Sequence, residues 1–186
     1  MQLTIPTILT LLRIVMIPVL VVVFYLPFDW SNLAALLIFI TAAITDWLDG
    51  WIARRFGMSS AFGAFLDPVA DKLMVAVALI LIVQRNPELL LAISAAVIIG
   101  REITVSALRE WMAELGQGAR VRVAWTGKMK TILQMVAIGF LLFAQDLFGL
   151  PILSIGIWLL VAAAVLTILS MITYLRAAWP AVQQQR

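Results

Sequence analysis

The sequence has 186 residues, of which 64% are hydrophobic and 12% are charged, and its formal net charge is +3. Soluble domains have roughly half apolar and a quarter charged residues, so this composition indicates a single integral membrane domain over residues 1–186. Neither cysteine nor histidine is present, which excludes disulfides and thiolate or imidazole metal sites. A metal site would need oxygen ligands, which suit Mg²⁺ or Mn²⁺.

Six apolar runs of membrane-spanning length follow one another along the chain. The N-terminal segment has neither a basic region nor a small-residue cleavage site, so we expect the first run to be retained. The sequence therefore predicts an all-α protein with six transmembrane helices. We place them at 8–27, 32–53, 64–84, 89–109, 124–145 and 151–174.

The distribution of basic residues predicts the orientation of these helices. Of the 13 Lys and Arg residues, only Arg85 lies on the side of the first, third and fifth connections. Positive residues concentrate on the cytoplasmic side of membrane proteins. Both termini and the basic connections after the second and fourth runs are therefore expected to face the cytoplasm.

Four aspartates lie close together in the sequence where the second run ends and the third begins. Residues three apart on a helix share a face, and here the first two acids are followed on that face by Gly50 and Ala53. Small residues at these positions allow a bulky ligand to approach the helix beside the carboxylates. The four acids are Asp46, Asp49, Asp67 and Asp71.

These acids are costly in a membrane helix. A carboxylate within a span costs ~3 kcal/mol on insertion scales, and four together could approach ~10 kcal/mol. Asp67 alone could be an ordinary acid at a helix N-terminus, but this explanation does not account for all four acids. The simplest compensation for their insertion cost and mutual repulsion is bound cations. Two hard cations on carboxylates form a template for diphosphate chemistry, and a carboxylate not fully committed to metal can act as a general base toward an alcohol.

The segment from Asp46 to Asp71 resembles the signature of the CDP-alcohol phosphotransferase family. The resemblance implies transfer of a phosphatidyl group from CDP-diacylglycerol to an alcohol, with release of CMP, in a fold of six membrane helices. The cofactor would be Mg²⁺ or Mn²⁺, in a two-metal site. All eight defining positions match, at Asp46, Asp49, Gly50, Ala53, Arg54, Gly63, Asp67 and Asp71.

The same resemblance assigns roles to the matching residues. All four aspartates would bind metal, and Asp71 would also be the catalytic base that deprotonates the acceptor hydroxyl. Thr10 and Arg13 lie where the first helix could meet the nucleotide diphosphate, although no definite role follows for Arg13. Residues against the CDP moiety would be Asp46, Gly50, Ala53 and Arg54, with Gly63 keeping the pocket open and Thr10 contributing from the first helix.

Basic residues in the fourth and fifth runs form a second candidate group. Arg101 and Arg109 are eight residues apart, ~12 Å along a helix, and Lys128 and Lys130 follow near the start of the fifth run. Arg and Lys side chains bind phosphate well. The alcohol that accepts the phosphatidyl group would therefore carry its own phosphate, as glycerol 3-phosphate and inositol phosphate do. The alternatives are a neutral pair of Arg101 with Glu102, a helix cap by Arg109 and a snorkelling Lys130.

Three further segments resemble bacterial family members whose acceptor is glycerol 3-phosphate: IPTILTLLRIVMIP, ALREWMAELG and GKMKT. This resemblance runs from residue 1 to about 175. It implies that Arg101, Arg109 and Lys128 hold the phosphate of glycerol 3-phosphate. The protein would lie in the bacterial cytoplasmic (inner) membrane, with its active site facing the cytoplasm. Thr7 departs from the family, in which Asn often follows the proline.

Other functions compete with this one. A family member that uses inositol phosphate would differ only in its acceptor, and a cation transporter would also explain acids in membrane helices. The charged residues on the outer side all lie in connections, so a transport path has no polar continuation. The small residues at 162–167 indicate helix packing or a homodimer. Nucleic acid is not an expected partner.

Overall fold

The computed structural model describes the backbone of residues 5–56, 61–114 and 125–183. This part of the chain contains six α-helices and confirms the all-α prediction. They are α1 (Ile5–Phe24), α2 (Ser31–Phe56), α3 (Ala61–Arg85), α4 (Leu89–Glu114), α5 (Trp125–Phe143) and α6 (Ile152–Gln183).

Four of these helices are long and apolar enough to cross a membrane, whose ~30 Å hydrocarbon core needs about 20 residues. In α3, Asp67, Asp71 and Lys72 interrupt the apolar sequence near its start, and the apolar part of α5 is the shorter segment Met129–Phe143. The third and fifth predicted spans are therefore helical, but their crossing of the membrane stays a prediction. The four candidate spans are Pro6–Phe24, Ser31–Ala53, Leu89–Met112 and Ile152–Thr173.

The described structure divides into two compact units. Unit 1 comprises Met1–Asn86 and Ile138–Leu153, and unit 2 comprises Pro87–Ala137 and Ser154–Arg186. The single domain over 1–186 stays a prediction.

In unit 1, α1 packs against both α2 and α3. Small residues that are fully or almost fully buried on α2 and α3 include Ala35, Ala42, Ala70 and Ala78, and such residues allow helix backbones to approach closely.

Helix α1 has its polar face inside the protein and its apolar face outside. Thr7, Thr10 and Arg13 follow one another at three-residue intervals and are all buried. The exposed side chains on the other faces are apolar, among them Val15 and Val22. This arrangement suits a helix whose outer surface contacts lipid, and it directs the polar side chains of α1 toward α2 and α3.

Arg85 holds together four helix ends of unit 1. Its Nη1 donates a hydrogen bond of 2.5 Å to Asn32 Oδ1 at the start of α2, and its Nη2 lies 3.5 Å from the carbonyl oxygen of Leu142 near the end of α5. The guanidinium carbon lies 4.0 Å from the ring centroid of Phe24, the last residue of α1. Arg85 is the basic residue that the sequence places on the side opposite the other Lys and Arg residues. Its contacts with three other helices give it a structural role.

In unit 2, α4 is joined to α5 and to α6 by polar contacts between buried or half-buried side chains. Lys130 of α5 contacts Glu102 of α4, and Arg101 of α4 contacts Ser170 of α6. Of the small residues near the middle of α6, Ala163 and Ala164 are buried within the chain. They therefore serve helix packing, and a homodimer stays a prediction.

A candidate metal centre and a buried basic cluster

The end of α2 and the first turns of α3 bring three of the four predicted metal ligands together. One carboxylate oxygen from each of Asp46, Asp49 and Asp67 lies within 4.8 Å of the other two. Asp49 is 2% exposed, whereas the side chains of Asp46 and Asp67 are both 41% exposed. The group therefore has one buried member and two that solvent or a ligand can reach.

Asp71 lies one turn beyond Asp67 on α3. Its side chain is exposed, and it is not a member of the three-carboxylate group found among the described residues. The structure therefore distinguishes Asp71 from the other three acids. The spacing of the four aspartates in the sequence does not show this difference.

Arg13 of α1 contacts all three carboxylates. Its Nη1 lies 2.8 Å from Asp46 Oδ1 and 3.2 Å from Asp67 Oδ1, and its Nη2 lies 2.5 Å from Asp49 Oδ2. Arg13 itself is 1% exposed. Three negative charges and one positive charge give this group a formal net charge of −2.

The sequence contains a signal for this role of Arg13. An arginine within an apolar helix needs an anionic partner, and it shares its face with Thr7 and Thr10 in an otherwise apolar segment. The pattern marks the inward face of α1. It does not identify the partners, which lie 36 and 54 residues further along the chain for Asp49 and Asp67.

The donor atoms of this group fit a hard divalent cation. Three carboxylates supply the oxygen ligands that Mg²⁺ and Mn²⁺ prefer. In addition, Asp49 Oδ1 is buried and accepts no hydrogen bond from the described part of the protein. A buried, charged oxygen is costly without a donor or a cation. The acidic cluster can therefore hold a metal ion.

The residues predicted to contact CDP lie on α1, α2 and α3. Thr10 is buried, and its hydroxyl donates to the carbonyl oxygen of Pro6 over 3.0 Å. Gly50 and Ala53 are half-buried, and Gly63 is buried one turn before Asp67. Arg54 continues α2, but its side chain lies outside the described residues.

A second polar group lies within unit 2. Glu102 Oε1 accepts a hydrogen bond of 2.5 Å from Lys130 Nζ and one of 3.1 Å from Arg101 Nη1. Arg101 Nη2 lies 3.4 Å from Ser170 Oγ. Arg101 is 8% exposed and Lys130 is 1% exposed. Two cations share one carboxylate, so this basic cluster of Arg101, Glu102, Lys130 and Ser170 has a formal net charge of +1.

The basic cluster contains only part of the predicted phosphate-binding set. Arg101 is a member, and its pairing with Glu102, the alternative role considered for it, is present. Arg109 is exposed two turns further along α4. Lys128 lies in the first turn of α5, and its side chain lies outside the described residues. Lys130, to which the sequence assigned no definite role, is the lysine placed against Glu102.

Comparison with known proteins confirms the family expected from the motif. Residues 3–169 match the family described as CDP-alcohol phosphatidyltransferase. Proteins named CDP-diacylglycerol–glycerol-3-phosphate 3-phosphatidyltransferase from Salmonella choleraesuis (strain SC-B67), Shigella flexneri and Escherichia coli (strain K12) are each 53% identical to this chain over 178 residues. Each alignment covers 96% of this chain and 96% of the relative. The chain belongs to the CDP-alcohol phosphatidyltransferase family.

Proposed function

We propose that this protein transfers the phosphatidyl group of CDP-diacylglycerol to glycerol 3-phosphate, which yields phosphatidylglycerophosphate and CMP in bacterial phospholipid biosynthesis. The observation that carries this function is the 53% identity, over 96% of both chains, to relatives named for that reaction. Neither the inositol phosphate alternative nor the transporter has a comparable observation in its favour.

The acidic cluster is the proposed donor site. Asp46, Asp49 and Asp67 supply carboxylate ligands, and Asp71 extends the set by one turn of α3. Divalent cations held there would neutralise the diphosphate of CDP-diacylglycerol and polarise the phosphorus under attack. The surrounding residues would contact the nucleotide, and they are Thr10, Gly50, Ala53, Arg54 and Gly63.

Asp71 is the proposed general base. Its side chain is exposed near the start of α3, so an acceptor hydroxyl can approach it from water. Asp71 would take the proton of the primary hydroxyl of glycerol 3-phosphate as its oxygen attacks the lipid-side phosphorus. A new P–O bond forms, the P–O bond to CMP breaks, and CMP leaves with the electron pair.

The phosphate of glycerol 3-phosphate is the proposed ligand of the basic residues of α4 and α5. Arg101 supplies a planar guanidinium suited to phosphate oxygens, and Arg109 and Lys128 would add charge. The net positive charge of the basic cluster favours an anionic acceptor over serine or choline. Lys130 belongs to the same cluster, so we include it among the residues that support phosphate binding.

The proposed location is the bacterial inner membrane, with the active site facing the cytoplasm. The four apolar helices support a multi-pass membrane protein, and the asymmetry of Lys and Arg supports the orientation. Glycerol 3-phosphate is water-soluble and would arrive from the cytoplasm, whereas CDP-diacylglycerol would enter from the inner leaflet.

The test is CMP release from CDP-diacylglycerol by the detergent-purified protein. Glycerol 3-phosphate, inositol phosphate and serine are compared as acceptors, each with Mg²⁺ and with a chelator. The expected result is Mg²⁺-dependent release with glycerol 3-phosphate alone. Release with another acceptor would overturn the acceptor assignment, and no release from a folded sample would overturn the function.

A further inference from the structure

We propose that Arg13 is an exchangeable counter-ion of the acidic cluster, which gives up contacts with the aspartates when divalent cations bind. This inference rests on the metal site of the proposed function. It concerns the strength of cation binding, which can be measured without either substrate.

The contacts of Arg13 place it in competition with a cation. Its two terminal nitrogens lie 2.5–3.2 Å from one oxygen of each of Asp46, Asp49 and Asp67. These carboxylates are the same groups that converge within 4.8 Å to form the candidate metal site. A guanidinium at hydrogen-bond distance from the ligand oxygens would lie close to a bound dication and be repelled by it.

The geometry of hard cations adds to this competition. Mg²⁺ binds oxygen at about 2.0–2.1 Å in near-octahedral geometry, so neighbouring ligand oxygens lie about 3 Å apart. A guanidinium needs more room, because its hydrogen bonds to carboxylates are about 2.7–2.9 Å long. Contraction of the three carboxylates around a cation would therefore be opposed by the guanidinium between them.

The burial of Arg13 explains why the exchange has a measurable cost. Arg13 is 1% exposed within the apolar segment Pro6–Phe24, so water cannot replace a lost carboxylate contact without rearrangement. Hydrogen bonds between charged groups are also the stronger kind. The contacts that Arg13 must surrender therefore lower the apparent affinity for the cation.

The inference predicts that removal of Arg13 strengthens cation binding. In Arg13→Gln the formal charge of the cluster changes from −2 to −3, and a neutral side chain replaces the competing cation. We expect the dissociation constant for Mn²⁺ to fall at least about tenfold, which corresponds to ~1.4 kcal/mol.

The experiment measures Mn²⁺ binding to the full-length, detergent-purified protein by calorimetry or by the EPR signal of free Mn²⁺, with no substrate present. Arg55→Gln is the matched control, because Arg55 is an exposed arginine on the same helix as Asp46 and Asp49. It removes an equal charge and should change the dissociation constant less than about twofold. Equal or weaker Mn²⁺ binding by Arg13→Gln would overturn the inference.

A second variant, Arg13→Lys, tests the same inference if Arg13→Gln does not fold. Arg13→Lys keeps the positive charge, but a single ammonium group cannot reproduce the fork of contacts that a guanidinium makes. Its Mn²⁺ affinity should lie between those of the unmodified protein and Arg13→Gln, and an affinity no higher than that of the unmodified protein would contradict competition.

CMP release by the unmodified protein separates this inference from the proposed function. If that protein binds Mn²⁺ and releases CMP while neither Arg13 variant binds Mn²⁺ more tightly, the function stands and the counter-ion role is overturned. If the unmodified protein binds no Mn²⁺, the metal site is overturned together with this inference.

Discussion

The substitution Asp49→Asn should make the protein more stable in the presence of a chelator. Asp49 pairs with Arg13 at 2.5 Å, but it also lies beside Asp46 and Asp67, with oxygens within 4.8 Å. With an effective dielectric constant of 20, the attraction of Asp49 to Arg13 at about 4 Å between charge centres contributes about 4 kcal/mol, while the two repulsions at about 5 Å cost about 7 kcal/mol together. Loss of the hydrogen bond between the charged groups offsets about 2 kcal/mol of the difference. The expected net gain is about 1 kcal/mol.

This gain should be visible as a rise in the midpoint of thermal unfolding of about 2–4 °C, the shift per kcal/mol for a chain of this size. The same variant should lose the stabilisation that Mn²⁺ gives to the unmodified protein, together with Mg²⁺-dependent CMP release. Asp146→Asn, in an exposed connection, is the control and should alter none of these quantities. A fall in stability of 2 kcal/mol or more with chelator present would refute the reasoning, because the Arg13–Asp49 attraction would then outweigh the repulsion among the acids.

The remaining predictions concern the proposed general base Asp71, the basic cluster and the contacts of Arg85 in unit 1. Asp71→Asn should lower CMP release by about 10²–10⁴-fold, the usual contribution of a general base, while CDP-diacylglycerol still binds; near-normal turnover would remove Asp71 from this role. Arg101→Met should raise KM for glycerol 3-phosphate at least about tenfold and leave KM for CDP-diacylglycerol unchanged in initial-rate assays. A change in KM for CDP-diacylglycerol alone would contradict the assignment of Arg101 to the glycerol 3-phosphate site. Arg85→Met should destabilise the protein by about 2–3 kcal/mol through loss of a charged hydrogen bond and a cation–π contact, as measured by thermal unfolding beside the exposed control Gln84→Met, with no change in either KM.

Local features of the sequence predict much of this protein. Apolar runs predict the six helices, because helix length and apolar composition are properties of short segments. The three-residue spacing of Asp46 and Asp49 places both on one face of α2, and the motif that they begin identifies the family. These predictions need no knowledge of how the helices pack.

Features that depend on packing are less accessible from the sequence. The contacts of Arg13 join α1 to α2 and α3, and the choice of Lys130 rather than a neighbouring residue as the partner of Glu102 depends on the rotation of α5 against α4. The difference between Asp67 and Asp71 is of the same kind. Both lie on α3 at four-residue spacing, yet of the two only Asp67 belongs to the three-carboxylate group found among the described residues.

The contacts of Arg13 have a consequence for the synthesis of the protein. Helix α1 emerges from the ribosome before α2 and α3, and the sequence has no acidic residue before Asp29. Arg13 therefore enters the membrane before its partners Asp49 and Asp67 have reached it, at a cost of up to about 3 kcal/mol. The strongly apolar residues around Arg13 in Pro6–Phe24 offset this cost and favour insertion of α1. The later arrival of the aspartates then fixes the position of a helix that has already been inserted.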